Sequence, residues 1–234
     1  MNYTAVILCG GVGARLKPYT NTFPKPLMPL GDIPVLEVII RQLKKNNFKR
    51  IILAVNHKAD LLKLYFEKGK KFGVKIEYSL EKNNLGTMGP LKIIKNLPDN
   101  FLVMNGDVLT TINYKKFIES HINNNANFTI SSTLRYNFID YGVLEKEKNL
   151  LKSFTEKPNK MYEVSMGVYA INKKIIKYVL PKTNYGFDKL VLNLLKRKID
   201  VNIIQYNGKW FDIGRSDDYD MATQYFLNNK NKFI

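Results

Sequence analysis

The sequence predicts an α/β fold of three layers, with helices on both faces of a mostly parallel central sheet and a small additional lobe. Three observations predict it. Through the first 135 residues, apolar runs of strand length alternate with segments of helical period, the order that builds parallel sheets through helical crossovers. The first apolar run passes directly into a glycine-rich loop, Gly10-Gly11-Val12-Gly13, where sheets of this kind place their ligands. After Tyr136 the alternation loosens into short strand-like runs that read as a separate lobe.

The elements follow in order. Ala5-Val6-Ile7-Leu8-Cys9 has the length and β-branched content of a buried parallel strand. The stretch 35–48 sets Leu36, Ile39, Ile40 and Leu43 at helical spacing, and 50–55 reads as a second buried strand. Residues 59–70 suit a helix, 74–80 a strand, and the polar segment 81–91 leads toward another helix. Then come a strand at 101–104, a helix at 114–124 and a strand at 128–133. This β-α-β-α-β order predicts right-handed crossovers, a Rossmann-like sheet, and a ligand at the carboxyl ends of its strands. Beyond Tyr136, residues 139–144, 150–155 and 164–170 read as strands, 172–179 and 187–196 as helices, and 201–206 as a strand. Ser216 is placed to cap a final helix, with Asp217 and Asp218 in its first turn. No repeat or disordered linker interrupts the chain. The expected organisation is one domain, 1–234, with a first part over 1–135 and a second over 136–234.

Several residues carry chemistry. Three glycines after a strand let amide donors converge on an anion, most often a phosphate, although the same pattern serves as a plain turn. Arg15 ends the loop, and Lys25 lies between Pro24 and Pro26, which predicts a stiff extended segment presenting its ammonium. Asp107, after the strand 101–104, suits either an Asx-turn or a hard cation. Gly86 and Thr87 suit a helix cap, and Cys9 reads as a small core residue. Trp210 reads as packing. Neither His57 nor His121 stands beside a nucleophile motif.

Together, Gly10-Gly11-x-Gly13-x-Arg15-Leu16, Pro24-Lys25-Pro26, Leu85-Gly86-Thr87-Met88-Gly89-Pro90-Leu91, Val103-Met104-Asn105-Gly106-Asp107, Glu156-Lys157-Pro158 and Trp210-Phe211-Asp212-Ile213-Gly214 span nearly the whole chain. They resemble the sugar-nucleotide pyrophosphorylases, the NTP:sugar-1-phosphate nucleotidylyltransferases. The likeness is strongest to the mannose-1-phosphate and heptose-1-phosphate guanylyltransferases. It implies transfer of a nucleotidyl group, with GTP the first candidate and CTP, UTP and dTTP left open. It further implies that Arg15 and Lys25 are catalytic and that Gly10, Gly11 and Gly13 cradle the triphosphate. Leu8, Glu81, Gly86 and Thr87 would frame the nucleotide, and Asp107 and Asp212 would hold Mg2+. Gly142, Glu156, Lys157, Ser165 and Gly167 would bind the sugar phosphate, so the second part becomes an acceptor-binding lobe. Ser165 departs from the asparagine usual at its position, and its shorter hydroxyl reaches less far.

Composition narrows the remaining classes. A chain 45% hydrophobic and 24% charged is ordinary for a globular protein. The net charge of +17 suits phosphate-rich substrates. Its lysines are scattered, without a run of five or more and without interleaved aromatics, so nucleic acid is not the expected partner. No apolar run approaches the length of a membrane span, so no membrane insertion is expected. A single cysteine and an immediate first strand suit a cytoplasmic enzyme; a homo-oligomer is left open. Two other classes are weighed. A dehydrogenase-like dinucleotide binder has the wrong glycine spacing. A catalytically inactive protein of the same fold is opposed by the intact Arg15, Lys25, Asp107, Lys157 and Asp212.

Overall fold

The computed structural model describes residues 2–11, 13–56, 58–180, 183–214 and 216–234, apart from the side chain of Ser216. The cap predicted at Ser216 and the residue His57 therefore lie outside what is described. The chain runs β1 (Tyr3–Leu8), a single-turn helix α1 (Tyr19–Thr22), a minimal hairpin β2 (Pro29–Leu30) and β3 (Ile33–Pro34), then α2 (Val35–Lys45), β4 (Phe48–Val55), α3 (Ala59–Phe66) and β5 (Lys75–Leu80). There follow β6 (Asn100–Asn105), β7 (Val108–Thr110), α4 (Tyr114–Asn123), β8 (Phe128–Phe138), β9 (Val143–Glu147), β10 (Leu150–Thr155) and β11 (Asn159–Asn172). The chain closes with α5 (Phe187–Lys196), β12 (Val201–Gln205), β13 (Trp210–Asp212) and α6 (Ser216–Asn228).

Seven strands form the central sheet in the order β12-β8-β11-β6-β1-β4-β5. All neighbours are parallel except β11, which runs antiparallel to both β6 and β8. The pleat divides the core. Ala5 and Ile7 face a cluster with Ile39 and Leu43 of α2, Phe66 of α3, Ile118 of α4 and Phe226 of α6. Val6, between them, faces Leu190 and Leu194 of α5 on the other side. The expected three layers are present. From β1 the chain moves outward through β4 and β5, then returns to place β6 on the other flank of β1. That reversal makes the carboxyl ends of β1 and β6 the switch point where a ligand crevice forms.

Four local expectations are corrected. The segment after Glu81 leads only to a 3-10 turn, Gly89–Lys92, because the N–H groups of Met88 and Gly89 bond Tyr185 rather than continue a helix. The helix predicted at 172–179 is a 3-10 helix, Lys173–Tyr178. The helix from Ala59 stops at Phe66, where Glu67 takes φ 47. Lys25 opens a 3-10 turn, Lys25–Leu27, after an extended Pro24, because Leu27 and Met28 bond back to Pro24 and Lys25. The strands β8 and β11 also outrun their predicted lengths and project beyond the sheet as a two-stranded ribbon. Among the described residues, no helix is long and apolar enough to cross a membrane.

Candidate active site

The switch point is closed by backbone. The N–H of Gly106 donates to the carbonyl of Leu8 at 3.0 Å, and that of Cys9 to Ala54 at 2.8 Å. A Cβ on Gly106 would stand 3.0 Å from both the Leu8 carbonyl and the Cys9 sulfur, so glycine permits this approach. Cys9 is a core residue, and burial pushes its thiol well up, which makes it unreactive.

A cavity of about 320 Å³ opens here, lined by Leu8, Gly10, Gly11, Glu81, Thr87 and Asp107 among others. The glycine loop, the end of β5 and the end of β6 thus converge on one space. Glu81 is buried, and burial pushes its carboxyl up while the Leu85 N–H, 3.2 Å away, partly offsets this. Its Oε1 lies where a Cβ on Gly10 would intrude, 2.9 Å away. Across the cavity, Gly86 sits at φ 74, with Tyr185 backbone 2.9 Å from where its Cβ would be. Leu85 accepts from Tyr185, Met88 donates to Tyr185, and the Thr87 hydroxyl accepts from the Phe187 N–H at 2.8 Å. Thr87 does cap a helix, but the helix is α5, one hundred residues downstream.

Gly13 adopts φ 64 and packs on Thr20 and Lys25, while the Thr20 hydroxyl donates to its carbonyl at 2.8 Å. This brings the ammonium of Lys25 to Oδ2 of Asp107 as an ion pair. Oδ1 of Asp107 is buried and has no hydrogen-bond partner among the described residues. Asp212 joins from the far end of the chain. The short strands β7 and β13 pair antiparallel, setting Asp212 opposite Val108. Burial and then the Asp107 charge push the Asp212 carboxyl up, against the pull of Lys25 and Arg15. A Cβ on Gly214 would meet Arg15 Nη2 at 3.1 Å and Asp212 Oδ1 at 3.0 Å, so the glycine leaves room for both groups. Arg15 and Asp212 also line a second cavity of about 400 Å³ with Arg135, Tyr136, Tyr162 and Asp218.

The donor set suits a hard divalent cation. Among the described residues no group of three or more His, Cys, Asp or Glu side chains is arranged to hold a metal. Two carboxylates, one with a free buried oxygen, are what a cation of this kind takes from protein when phosphates supply the remaining ligands.

Residues 4–229 match the family described as nucleotidyl transferase. The chain belongs to that family. This nucleotidyl transferase is 33% identical over 228 residues to D-glycero-alpha-D-manno-heptose 1-phosphate guanylyltransferase of Campylobacter jejuni, covering 96% of this chain and 99% of the relative. It is 31% identical to mannose-1-phosphate guanyltransferase of Saccharomyces cerevisiae, covering 96% of this chain but only 64% of that longer protein. The crystal structure of HddC from Yersinia pseudotuberculosis complexed with GMP-PN is 29% identical, with TM-score 0.72 and coverage of 96% and 99%. The resemblance read from the sequence motifs is that of the sugar-nucleotide pyrophosphorylases.

Not every candidate joins this cluster. Gly142, Glu156 and Lys157 sit at the ends of the β9–β10 hairpin and line neither cavity. Gly142 lies against Phe154 and Glu156, and Lys157 pairs with Asp140 at 2.9 Å on the surface. Ser165 and Gly167 mark the irregularity where β11 leaves its register with β8. Gly167, at φ 74, leaves room for the Asn105 amide, 2.7 Å from where its Cβ would be. Trp210 is a packing residue, its indole N–H donating to the Met166 carbonyl at 2.9 Å. His121 is buried between Thr129 and Asn100, a structural role. Asn84, Asn105 and Asn184 also line the first cavity; no motif marks Asn184, which reaches the site only through the Tyr185 clamp.

Proposed function

We propose that this enzyme transfers a guanylyl group from GTP to a sugar 1-phosphate, forming a GDP-sugar and pyrophosphate. The carrying observation is the single cavity lined by Gly10, Gly11 and Asp107 at the switch point of the sheet, with Lys25 paired to that carboxylate. An oxygen of the acceptor phosphate attacks the α-phosphorus in line. The bond from that phosphorus to the bridging oxygen of the β-phosphate breaks, and pyrophosphate leaves. Both reacting groups are phosphates, so the protein supplies position and charge rather than a nucleophile.

The N–H groups of the Gly10–Gly13 loop hold the triphosphate, and Arg15 and Lys25 stabilise the charge gathering on the departing pyrophosphate. Asp107 and Asp212 hold magnesium, which when bound neutralises phosphate oxygens. Residues 1–135 bind the nucleotide and 136–234 bind the acceptor. Gly142, Glu156, Lys157, Ser165 and Gly167 belong to that acceptor side. GTP is favoured by the two guanylyltransferase relatives and by the neighbour solved with GMP-PN. Glu81 supports it further: a carboxylate in the cavity accepts from the donors on a guanine edge. The nucleotidyl transferase acts in the cytoplasm.

The test is pyrophosphate release from GTP, CTP, UTP and dTTP against a panel of sugar 1-phosphates, beginning with heptose 1-phosphate and mannose 1-phosphate. GTP should give the highest kcat/KM. A pyrimidine triphosphate used better than GTP would overturn the base assignment, and no pyrophosphate from any pair would overturn the activity.

A further inference from the structure

The second cavity, of about 400 Å³, shares Arg15 and Asp212 with the proposed reaction centre and adds Arg135, Asn137, Tyr162 and Asp218. Arg135 leaves β8 where that strand passes beyond the sheet. Its Nη2 donates to both oxygens of Asp218 on α6, at 3.1 and 3.3 Å, and the guanidinium lies 5.8 Å over the Trp210 ring. The group is thereby fixed, while the N–H donors on its other nitrogens have no partner among the described residues. Tyr162 stands opposite Arg135 on β11, and its hydroxyl, like the Arg15 guanidinium, makes no hydrogen bond among those residues. Two guanidinium groups and a phenolic hydroxyl facing one space suit an oxyanion of the phosphate type. Asp218 is engaged by Arg135 and Asp212 by the proposed magnesium, which leaves Arg15 and the open donors of Arg135 for that anion.

The pleat and the in-line geometry of the reaction decide which phosphate it is. Side chains alternate along β11, so Tyr162 and Val164 line this cavity while Glu163 and Ser165 face the other way. There the Ser165 hydroxyl donates to the Tyr169 hydroxyl at 3.3 Å, and Glu163 accepts from the Ser132 hydroxyl at 2.6 Å. Ser165 belongs to the proposed acceptor side, so acceptor and cavity lie on opposite faces of the β8–β11 ribbon. Attacking and leaving oxygens also stand on opposite sides of the α-phosphorus. With the acceptor on the face of Ser165, the leaving group departs past Arg15 toward Arg135.

We propose that this second cavity holds the departing pyrophosphate before its release, with Arg135 and Tyr162 binding it there. The inference rests on the nucleotidyl-transfer reading above. No bond forms or breaks in the cavity; it receives a product already severed from the α-phosphorus.

The test is product inhibition by pyrophosphate, measured against GTP with magnesium present, together with calorimetry of pyrophosphate binding to the full chain. Arg135→Gln should weaken both the inhibition and the binding by about 10-fold or more, as for loss of hydrogen bonds to a charged group. Tyr162→Phe keeps the ring and should weaken both by about 2- to 10-fold. In each variant the KM values for GTP and for the sugar 1-phosphate should move less than the pyrophosphate constants do. A KM for the sugar phosphate that rises in Arg135→Gln while pyrophosphate inhibition stays put would make the cavity an acceptor site and overturn the proposal. Pyrophosphate constants unchanged in both variants would overturn it as well. Circular dichroism verifies folding, and Tyr162→Phe decides the matter if Arg135→Gln does not fold. Absence of turnover with every substrate pair would sink the nucleotidyl-transfer reading instead, and calorimetry would still say whether pyrophosphate binds through Arg135.

Discussion

The backbone N–H of Ile213 donates to the carbonyl of Asp107 at 3.0 Å. This one hydrogen bond, extended by the pairing of Asp212 with Val108, ties a motif at the end of the chain to one at its middle. It brings Asp212 within reach of Asp107, whose charge adds to burial in pushing the Asp212 carboxyl up.

Asp107→Asn should lower turnover by about 10²-fold or more, since the carboxylate is asked for several kcal/mol of charge stabilisation. Asp212→Asn should do the same. A readout independent of turnover is Mn2+ binding in the presence of GTP, followed by electron paramagnetic resonance. Either variant should bind the metal at least 10-fold more weakly, and unchanged binding would remove that carboxylate from the metal site.

The two lysines should separate kinetically. Lys25 pairs with Asp107, which lines the cavity, and on the proposed reading charge builds there as pyrophosphate leaves, so Lys25→Ala should lower kcat by about 10²–10³. Lys157 lies apart on the hairpin, and Lys157→Ala should chiefly raise KM for the sugar phosphate. Calorimetry should find nucleotide affinity nearly unchanged in Lys157→Ala. Loss of nucleotide binding there, with KM for the acceptor unaltered, would reverse the assignment.

Gly86→Ala should weaken the nucleotide side of the site. The position combines φ 74 with Tyr185 backbone 2.9 Å from the added methyl, a strain of about 1–3 kcal/mol. Thr87→Val removes the oxygen that accepts the Phe187 N–H, a cap worth about 0.5–2 kcal/mol. Both variants should raise KM for GTP several-fold while KM for the acceptor moves less. Thermal melts should place Gly86→Ala as the less stable of the two.

Acid should destabilise the fold in two steps. Burial lowers His121 from 6.5 to about 4, so between these values the unfolded chain binds a proton that the folded chain refuses. Stability is therefore full above about 6.5 and falls as pH drops toward 4. Glu77 follows: hydrogen bonds from Arg50 foremost, reinforced by Lys75, lower its carboxyl from 4.5 to about 2. Its stabilisation is present above 4.5 and is lost as pH falls toward 2. The melting temperature of His121→Gln should be flatter than wild type between pH 6.5 and 4. Equal slopes would remove His121 as the cause.

What the sequence determined by itself is the local and the repeated. Buried strands such as Ala5–Leu8 announce themselves because both faces need apolar side chains, and the glycine loop after them announces a close backbone approach. The motifs containing Arg15, Lys25, Asp107 and Asp212 were legible for the same reason: each is a short run whose chemistry is carried by neighbours in sequence. Tertiary structure alone decided how those runs meet. No local pattern says that Thr87 caps the helix at Phe187, or that Met88 and Gly89 give up a helix to bond Tyr185, because the partner lies far along the chain. The same holds for Lys25, which pre-proline sterics predict as extended, yet which opens a 3-10 turn and whose ammonium pairs with Asp107. Local propensity differs between such alternatives by little, whereas a buried polar group left without its partner costs about 1–3 kcal/mol, so the long-range partner wins.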